Sequence, residues 1–419
     1  MKQCLLLCFL MGLVSCTQKH TYHFEIEQGK ADVNGPVGVS LSDMDFENFQ
    51  LINNGRPVAF QIDSVANKLW FVHEADSPKS YAIKGQNPVE DTAEAVTSIE
   101  KAGDLYLSLA NNPLLVYRYE MNIPPIAKIY EKAGHPVPEK GIPSDSIFKK
   151  SGYIHPIMTP KGDTLSRVNP IDHLHHYGMW GPWTHTRIDT TRVDFWNLGE
   201  AMGTVRFKVF TEKENGPVFA GFTALQEHID LKTENAPQVA LNENLAVRLW
   251  NLGRPDRYMF DYTSTFSSPL EDGILLEAYR YGGGIGMRFN ERWKADNCSV
   301  LTSEGKDRLE ADGTNARWCI VSGVSSDGQG TNGILFMSHP ENRMHPEPMR
   351  IWPVDANGGR GDMFFEFCPI RHEEWKIAPN EDYELNYRMV VFDGELVPDE
   401  AEAYWQAFAH PPEIKASQR

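Results

Sequence analysis

A long series of short alternating runs, separated by turn residues, most constrains the fold of this chain of 419 residues. Examples are "LLVYRYEM", "TVRFKVFTE", "LAVRLWNLG" and "DYELNYRMVVFDG", all rich in Val, Phe, Tyr or Leu. Alternation of apolar and polar residues has the period of a β-strand with one buried face. Because almost no helical pattern intervenes, the sequence predicts an all-β fold, with a large antiparallel β-sandwich over residues 99–395.

Two smaller units flank this predicted sandwich. Residues 20–98 hold shorter strand-like runs, and the Asn-Gly pair at 54–55 favours a tight β-hairpin turn. A polar stretch over residues 87–98 is expected to link this N-terminal β unit to the sandwich. Residues 396–419 contain the one strong helical pattern, "PDEAEAYWQAFAH", with Pro398 at its start and an acidic first turn. Its apolar residues recur at helical spacing, so we expect this helix to dock on the sandwich.

The first residues predict export and lipidation. An apolar run too short to span a bilayer follows one Lys, as in a secretory signal peptide. Residues 13–16, "LVSC", match the lipobox pattern, in which Cys16 is lipidated and becomes the first mature residue. A plain signal peptide is the alternative. No acidic run follows Cys16, so we expect a membrane anchor at Cys16 that faces the periplasm.

Charge and cysteine content exclude some classes of function. The formal net charge of −17 leaves no basic stripe to neutralise phosphates, so no nucleic-acid partner is expected. Besides Cys16, three cysteines remain after the predicted signal, and they lack CxxC spacing, so neither a cysteine zinc site nor a disulfide scaffold is expected. One disulfide between two of the three stays open: Cys298, Cys319 and Cys368.

Residues 172–196, "DHLHHYGMWGPWTHTRIDTTRVDFW", hold a cluster of histidines, tryptophans and carboxylates. In an extended strand His173 and His175 would share one face and His176 would point to the other. Two histidines can ligate a transition metal only if further ligands come from elsewhere. The candidates lack diagnostic spacing, so no cofactor is expected and a divalent metal stays an alternative; they are His185, Asp189, Asp194, His339 and His345.

An acid/base site needs fewer residues of this cluster than a metal site does. A histidine titrates near neutral pH, and a nearby carboxylate fixes its tautomer, which suits proton transfer to a glycosidic oxygen or from a sugar carbon. We therefore assign this role to His175 and His176, with Asp194 orienting one of them. Trp180 and Trp183 flank a Gly-Pro turn and predict a platform on which a sugar ring stacks. Histidines that only satisfy backbone groups in a buried turn are the structural alternative.

Three further segments are expected to surround this cluster. Residues 337–353 must leave their strand as a loop, because two His-Pro pairs interrupt it. This loop is expected to face residues 172–196. The proline-rich segment 123–151 is predicted to be irregular and to rim the same cleft. The run "YRYGGGIGMRF" lacks the context of a phosphate loop, but Arg280, Tyr281 and Arg288 could line the cleft.

The order of these motifs resembles the PmoA-like family of uncharacterised proteins. The resemblance rests on "SGYIHPIMTPKGD", on "DHLHHYGMW" where the family reads approximately DHPHHRGLW, on "DFWNLG" and on "SHPENRMHPEP", and it covers residues 35–394. The family's label as a methane oxygenase subunit does not fit, since such a subunit is an integral membrane protein. The resemblance implies a galactose-mutarotase-like supersandwich and an association with bacterial glycan breakdown. Tyr177 stands where the family has Arg, and in lyases of similar fold a Tyr/His pair supplies base and acid.

The sequence thus predicts a carbohydrate-active enzyme, a hydrolase or a lyase, that cleaves or modifies a glycosidic linkage of an oligosaccharide or polysaccharide. A non-catalytic glycan-binding lipoprotein and a metal-dependent sugar-modifying enzyme are the alternatives. The predicted catalytic residues are His175, His176, Asp194, Tyr177 and His345. The predicted sugar-binding residues are Trp180, Trp183, His185, Arg187, Arg288, His339, Arg350 and Trp352.

Overall fold

The computed structural model describes residues 21–26, 33–42, 49–85, 96–133 and 141–417. The predicted signal and lipobox at residues 1–16 and most of the predicted linker lie outside the described residues. No helix among the described residues is long and apolar enough to cross a membrane.

The described elements are mostly strands. Those before residue 120 are β1 (Thr21–Ile26), β2 (Gly35–Ser40), β3 (Phe49–Asn53), β4 (Arg56–Val58), β5 (Gln61–Asp63), β6 (Lys68–His73), β7 (Ser80–Gly85), β8 (Val96–Lys101), β9 (Asp104–Leu109) and β10 (Asn112–Arg118). The middle of the chain forms β11 (Tyr153–Ile157), β12 (Met179–Trp180), β13 (Thr186–Ile188), β14 (Thr191–Val193), β15 (Gly203–Glu214), β16 (Phe219–Asp230), β17 (Gln238–Trp250), β18 (Arg257–Ser267), β19 (Ile274–Leu276) and β20 (Ile285–Arg288).

The remaining strands are β21 (Cys298–Thr302), β22 (Asn315–Ala316), β23 (Trp318–Val324), β24 (Thr331–Ser338), β25 (Glu347–Ile351), β26 (Phe364–Phe367), β27 (Trp375–Ile377), β28 (Tyr383–Asp393) and β29 (Ile414–Ser417). The helices are α1 (Ile126–Ala133), the single turn α2 (Ala356–Gly359) and α3 (Pro398–Ala409), with 3-10 turns at Asp145–Phe148 and Leu198–Glu200.

The N-terminal strands form a small β unit of two sheets, in the orders β29-β1-β7-β3-β4 and β2-β6-β5. Phe24, Leu51 and Phe71 are fully buried between them. The predicted hairpin turn joins β3 to β4, and its two residues have the positive φ angles of 46° and 78° that Asn and Gly tolerate. β29 also joins this unit, because the chain after α3 pairs with the free edge of β1. The sequence predicted a tail there, not a strand.

The main body is the predicted antiparallel sandwich, so the all-β fold is confirmed. One sheet has the order β22-β25-β26-β20-β12-β11-β10-β9-β8, and the other has the order β15-β16-β17-β18-β28-β24-β23-β21. Apolar residues from the inner faces of both sheets form one large buried cluster. We call these the nine-stranded and the eight-stranded sheet. A smaller sheet, β14-β13-β19-β27, lies beside them, and β8 places the start of the sandwich at Val96.

The outer face of the eight-stranded sheet is covered by α3 and by the N-terminal β unit. Tyr404, Trp405 and Phe408 of α3 are buried in one cluster with residues of β23, β24 and β28. Trp70 of the N-terminal β unit packs against Trp250 at the same face, with ring centroids 5.3 Å apart. The predicted docking of the C-terminal helix is therefore confirmed.

The outer face of the nine-stranded sheet has a different character. Side chains alternate along its central strands: Met179, Met287 and Phe365 point into the sandwich core, whereas Trp180 and Phe364 belong to a separate cluster outside it. Loops from several parts of the chain cover this outer cluster. It positions the candidate site described below.

The structure also tests the predictions for the proline-rich segment and for the cysteines. The segment 123–151 is more ordered than predicted, because Ile126 of α1 and Phe148 are buried in the outer cluster; residues 134–140 lie outside the described residues. The three cysteines of the described chain are free and buried, so no disulfide joins them: Cys298, Cys319 and Cys368.

Candidate functional site

A cavity of about 200 Å³ opens on the outer face of the nine-stranded sheet. Its walls come from the segment before β12, the loop after β12, the loop after β14, the β19–β20 loop and the residue that follows β25. These segments are distant in sequence, so only the folded sheet brings them together. The lining residues are His173, His175, His176, Thr184, Trp196, Asn197, Tyr279, Arg280, Tyr281 and Trp352.

The three neighbouring histidines converge on this cavity. Residues 171–175 form two turns, in which the His173 amide donates to the Pro170 carbonyl and the His176 amide to the His173 carbonyl. The ring centroids of His173, His175 and His176 lie 4.8–5.4 Å apart. The prediction of an extended strand, with His176 on the opposite face, was therefore wrong. The Asn-Pro pair at 169–170 and Gly178, with φ of 62°, are the turn signals that bracket the segment.

Asp172 and His173 form a carboxylate–imidazole pair beside the cavity. His173 Nδ1 lies 2.9 Å from Asp172 Oδ2, and because a carboxylate only accepts, Nδ1 is the protonated nitrogen. Burial alone would raise the pKa of Asp172. The hydrogen bond from His173 and the positive charge of Arg288 outweigh it and hold that pKa well below its usual range. Asp172 thus stays ionised and fixes the tautomer that leaves His173 Nε2 as the basic atom.

Three more groups anchor the Asp172 carboxylate from behind. Arg288 Nη2 lies 2.8 Å and Arg360 Nη2 lies 3.2 Å from its oxygens, and Asn357 Nδ2 donates over 2.9 Å. Arg288 has no exposed surface, and its guanidinium lies 4.6 Å from the ring centroid of Trp352. Arg288 was predicted to bind sugar, but it lies behind Trp352 and holds Asp172 in place.

The other two histidines are neutral near pH 7. Burial, followed by the charge of His173, lowers the pKa of His175 to about 3. Burial also lowers the pKa of His176 well below its usual value. His176 Nδ1 and Trp196 Nε1 are buried and have no hydrogen-bond partner among the described residues. Both residues line the cavity, so a ligand or a water there can supply the missing partner of each atom.

Aromatic rings form most of the cavity wall. Trp352 lies 4.7 Å from His173 between ring centroids, and Trp196 and Tyr281 lie 5.3 Å apart. Trp180 packs beneath His176 at 5.5 Å but does not line the cavity, so it forms a floor and not an exposed platform. Trp196, at the end of the quoted cluster, was not predicted to be a site residue. Its position two residues after Asp194 was the available signal.

Trp183 lies elsewhere, contrary to the prediction. It is 2% exposed in the core of the sandwich, where its ring centroid is 5.4 Å from that of Phe266. The chain passes under the cavity at this point, so the two tryptophans that flank the Gly-Pro turn end on different sides of the sheet. The Gly-Pro turn therefore presents neither indole to solvent.

Asp194 orients polar wall residues and not a histidine. Its buried carboxylate accepts from the Thr184 hydroxyl at 2.7 Å and from Asn197 Nδ2 at 2.8 Å. It also accepts from the backbone amides of Trp196 and Asn197 at 2.9 and 2.7 Å. The predicted Asp194–histidine pair is thus wrong, because the turn after β14 directs this carboxylate towards its own loop. Thr184 and Asn197 are held as fixed polar groups at the wall.

The second predicted segment, 337–353, contributes only its last part. Arg350 Nη2 and Trp352 Nε1 both donate to the Tyr281 hydroxyl, over 2.9 and 3.1 Å. These two bonds fix Tyr281 and Trp352 as neighbouring walls. Arg350 is 9% exposed and acts through Tyr281, since it does not line the cavity.

His339 and His345 do not reach the cavity. His345 stacks on Trp405 of α3, with ring centroids 5.9 Å apart, and its Nδ1 lies 3.2 Å from Ser338 Oγ. His339 contacts Phe408 of the same helix at 5.1 Å. The loop leaves β24 beside α3 before β25 crosses to the other sheet, so its first half stays at the helix. The prediction that these histidines complete the site was wrong.

The remaining predicted site residues surround the cavity or lie apart from it. Tyr177 is fully buried, and its hydroxyl donates to the Phe148 carbonyl on the side away from the cavity lining. His185 stacks on the cavity residue Tyr279, with ring centroids 3.7 Å apart. Arg187 forms an ion pair with Glu277, and Asp189 is exposed in a turn. Tyr177 and Arg187 therefore have structural contacts in place of the predicted contacts to substrate.

The described residues contain no group of three or more His, Cys, Asp or Glu side chains placed to hold a metal ion. The three imidazoles of the cavity share it with aromatic rings and with no carboxylate. A divalent metal at this site stays an untested alternative.

The fold and the cavity together define an all-β protein with a small pocket rich in histidine and aromatic residues. The chain belongs to the family described as "Family of unknown function (DUF6807)", whose model matches residues 107–406 and so includes every residue that lines the cavity. No curated protein matches the sequence.

Solved structures offer remote likenesses only. An α-mannosidase from Enterococcus faecalis V583 matches 96% of this chain and 46% of its own length, with 9% identity and a TM-score of 0.43. A family 38 glycosyl hydrolase from Enterococcus faecalis matches 96% of this chain and 48% of its own length, with 10% identity and a TM-score of 0.45. A heparan sulfate lyase from Pedobacter heparinus matches 75% of this chain and 38% of its own length, with 10% identity and a TM-score of 0.33. The chain thus spans less than half the length of each, and TM-scores below 0.5 carry no information on its reaction or ligand.

Proposed function

We propose that the cavity binds one sugar ring of a glycan and that the protein is a carbohydrate-active enzyme in which His173, oriented by Asp172, is the general base. The observation that carries this proposal is the Asp172–His173 pair, at 2.9 Å, beside a cavity with aromatic walls. His173 replaces His175 and His176 as the base, because it alone of the three has a carboxylate on its Nδ1.

The composition of the cavity wall supports a sugar as the ligand. Sugars are held where ring C–H faces stack on aromatic side chains and a few fixed polar groups bond the hydroxyls. Trp196, Trp352 and Tyr281 supply the rings, while Thr184 and Asn197 supply polar groups that Asp194 holds in place. The volume of about 200 Å³ is below the roughly 300–1,000 Å³ of pockets for drug-sized ligands. It therefore suits a single ring of a longer chain.

The chemistry of the wall favours an imidazole mechanism. Most glycosidases place two carboxylates on either side of the scissile bond. No described carboxylate lines this cavity, so the site does not contain such a pair of carboxylates. His173 Nε2 can instead remove a proton from a carbon or a hydroxyl of the bound ring. His175 and His176, neutral near pH 7, are suited to hydrogen bonds with the hydroxyls.

The test uses the purified protein with a panel of neutral and acidic oligosaccharides, and mass spectrometry to follow the products. We expect a change in length or mass with the wild type, its loss with His173→Ala, and no loss with His339→Ala, whose side chain lies at α3. An unsaturated product that absorbs ultraviolet light identifies a lyase, whereas shorter saturated products that have together gained one water identify a hydrolase. Binding of an oligosaccharide without any product would mean that the protein is a non-catalytic glycan-binding protein and not an enzyme.

Two parts of the proposal have separate tests. A metal-dependent reaction is indicated if a chelator abolishes product formation and one added divalent metal restores it. This result would contradict the proposed role of His173 as the principal base. The proposed anchor at Cys16 predicts a lipidated N-terminus in the membrane fraction and release of the protein by Cys16→Ser. An unlipidated mature chain would contradict the anchor without affecting the sugar site.

A further inference from the structure

Arg280 brings a positive charge to the mouth of the cavity. It is the exposed member of the cavity wall, and its guanidinium lies 5.3 Å from the ring centroid of Tyr281. Its side chain forms no ion pair and no side-chain hydrogen bond with any residue in the part of the chain that the structure describes. Stacking on Tyr281 holds the guanidinium at the mouth and leaves its five N–H donors for another group.

The carboxylates near the cavity are already paired with other arginines. Asp172 is bound by Arg288, and none of these carboxylates lines the cavity. Among the described residues Arg280 is therefore an unpaired positive charge at the mouth, although the chain as a whole is strongly acidic. Further pairs are Asp312 with Arg350 at 2.7 Å and with Arg371 at 3.1 Å, Asp194 with Arg192 at 3.6 Å, Asp362 with Arg288 at 3.5 Å and with Arg360, and Glu277 with Arg187.

The inner wall also holds a hydrogen-bond donor that has no partner among the described residues. Trp196 Nε1 is a donor only, and it has no partner among the described residues. His176 Nδ1 is likewise unpartnered, and it donates or accepts according to the tautomer of the ring. An anionic group has only acceptor oxygens, and arginine binds such groups with two parallel hydrogen bonds. The unpaired guanidinium of Arg280 and the unpartnered Trp196 N–H can both bind an anionic group.

We propose that the sugar bound in the cavity carries an anionic substituent, a carboxylate or a sulfate, and that Arg280 binds it at the mouth. This inference rests on the proposed sugar site and adds the class of substrate. Arg280 is a specificity-determining residue in this account: it selects acidic over neutral sugars and takes no part in proton transfer.

The test is isothermal titration calorimetry with matched monosaccharides: glucose, glucuronic acid and glucose 6-sulfate. We expect at least one of the two acidic sugars to bind about tenfold more tightly than glucose, since one charge-assisted contact supplies about this factor. Tighter binding of glucuronic acid would identify the substituent as a carboxylate, and tighter binding of glucose 6-sulfate would identify it as a sulfate. Added salt should weaken its binding and leave glucose binding unchanged.

Three variants make the result specific to Arg280. Arg280→Gln should lower the affinity for the acidic sugar to that for glucose, and Arg280→Lys should keep part of the difference. Arg56→Gln, which removes another exposed arginine far from this cavity, should change neither affinity. Equal binding of acidic and neutral sugars by the wild type would overturn the inference and leave the proposed function standing. If no sugar binds at all, the proposed function fails as well.

Discussion

His173 and Asp172 are neighbours in sequence, yet their side chains meet, with Nδ1 and Oδ2 2.9 Å apart. Adjacent residues of a strand point to opposite faces, so this contact depends on the turn that starts at Pro170. The same turn directs three imidazoles into one cavity. The local backbone, and not the count of histidines, creates the site.

Replacing His173 should separate catalysis from binding. Because His173 is half-buried at the cavity, His173→Ala should leave the fold intact and lower turnover by about 10²–10⁴-fold, the usual contribution of one general base. The affinity for the sugar should change much less. Rate and calorimetric measurements on the wild type, His173→Ala and the control His339→Ala check this. A turnover unaffected by His173→Ala would exclude it as the base.

Replacing Asp172 should cost stability as well as activity. Asp172→Asn removes the nearer of two carboxylate charges that face the fully buried Arg288 and leaves Asp362 at 3.5 Å, so we expect a loss of about 1.5–3 kcal/mol. Urea denaturation should show a loss of this size. Asp189→Asn is the matched control, since that carboxylate is exposed in a turn, and it should leave the free energy of unfolding unchanged. Equal effects of the two substitutions would mean that Asp172 does not hold Arg288.

Two tyrosine variants distinguish a wall residue from a supporting one. Tyr281→Phe removes the oxygen that accepts from Arg350 and Trp352, so it should weaken sugar binding severalfold and cost about 1–3 kcal/mol of stability. Tyr177→Phe removes a hydroxyl that contacts the Phe148 carbonyl and Asn169, neither of which lines the cavity, so it should cost about 1 kcal/mol and leave sugar affinity unchanged. Thermal unfolding and calorimetry on both variants give the comparison. Loss of sugar binding in Tyr177→Phe alone would restore the role that the sequence predicted for Tyr177.

Glu347 should make stability depend on pH. Burial raises the pKa of Glu347 to about 7, against hydrogen bonds from Ser338, Asn342 and Tyr387 that act in the opposite direction. In the unfolded chain this carboxyl titrates near its usual value of about 4.3. Because the folded state keeps the proton to higher pH, the contribution of Glu347 is full below about pH 4 and is lost as pH rises to about 7.

The measurement for Glu347 is the free energy of unfolding of the wild type and of Glu347→Gln between these pH values. The wild type should lose about 3 kcal/mol more than the variant over this range. Parallel curves for the two proteins would contradict the raised pKa of Glu347.

The sequence predicted the architecture well because alternation and turn residues act locally. The hairpin after β3, the sandwich and the helix at Pro398 all followed from such local patterns. The site was harder to predict, because its walls come from loops whose directions depend on the sheet beneath them. Trp180 and Trp183 are equally suited to stack on a sugar by composition, yet one is the floor of the cavity and the other belongs to the core.

Two errors have the same physical origin. His345 was grouped with the cavity because the loop 337–353 is polar and aromatic throughout, but the point at which β25 crosses between sheets is not encoded in that composition. Asp194 was paired with a histidine by proximity in sequence, whereas the turn after β14 directs it to three donors of its own loop and to the Thr184 hydroxyl. Asp172, which does bind a histidine, was in the quoted cluster, and the Asn-Pro turn before it was the available signal.

The central claim is that the histidine-lined cavity binds a sugar ring, and saturation-transfer NMR tests it most directly. Mixtures of neutral and acidic monosaccharides are measured with the wild type, with His175→Trp, which fills the cavity, and with the control His339→Ala. The account predicts saturation of sugar ring protons by the wild type and the control, and none by His175→Trp. The same signal from all three proteins, or no signal from the wild type, would contradict it.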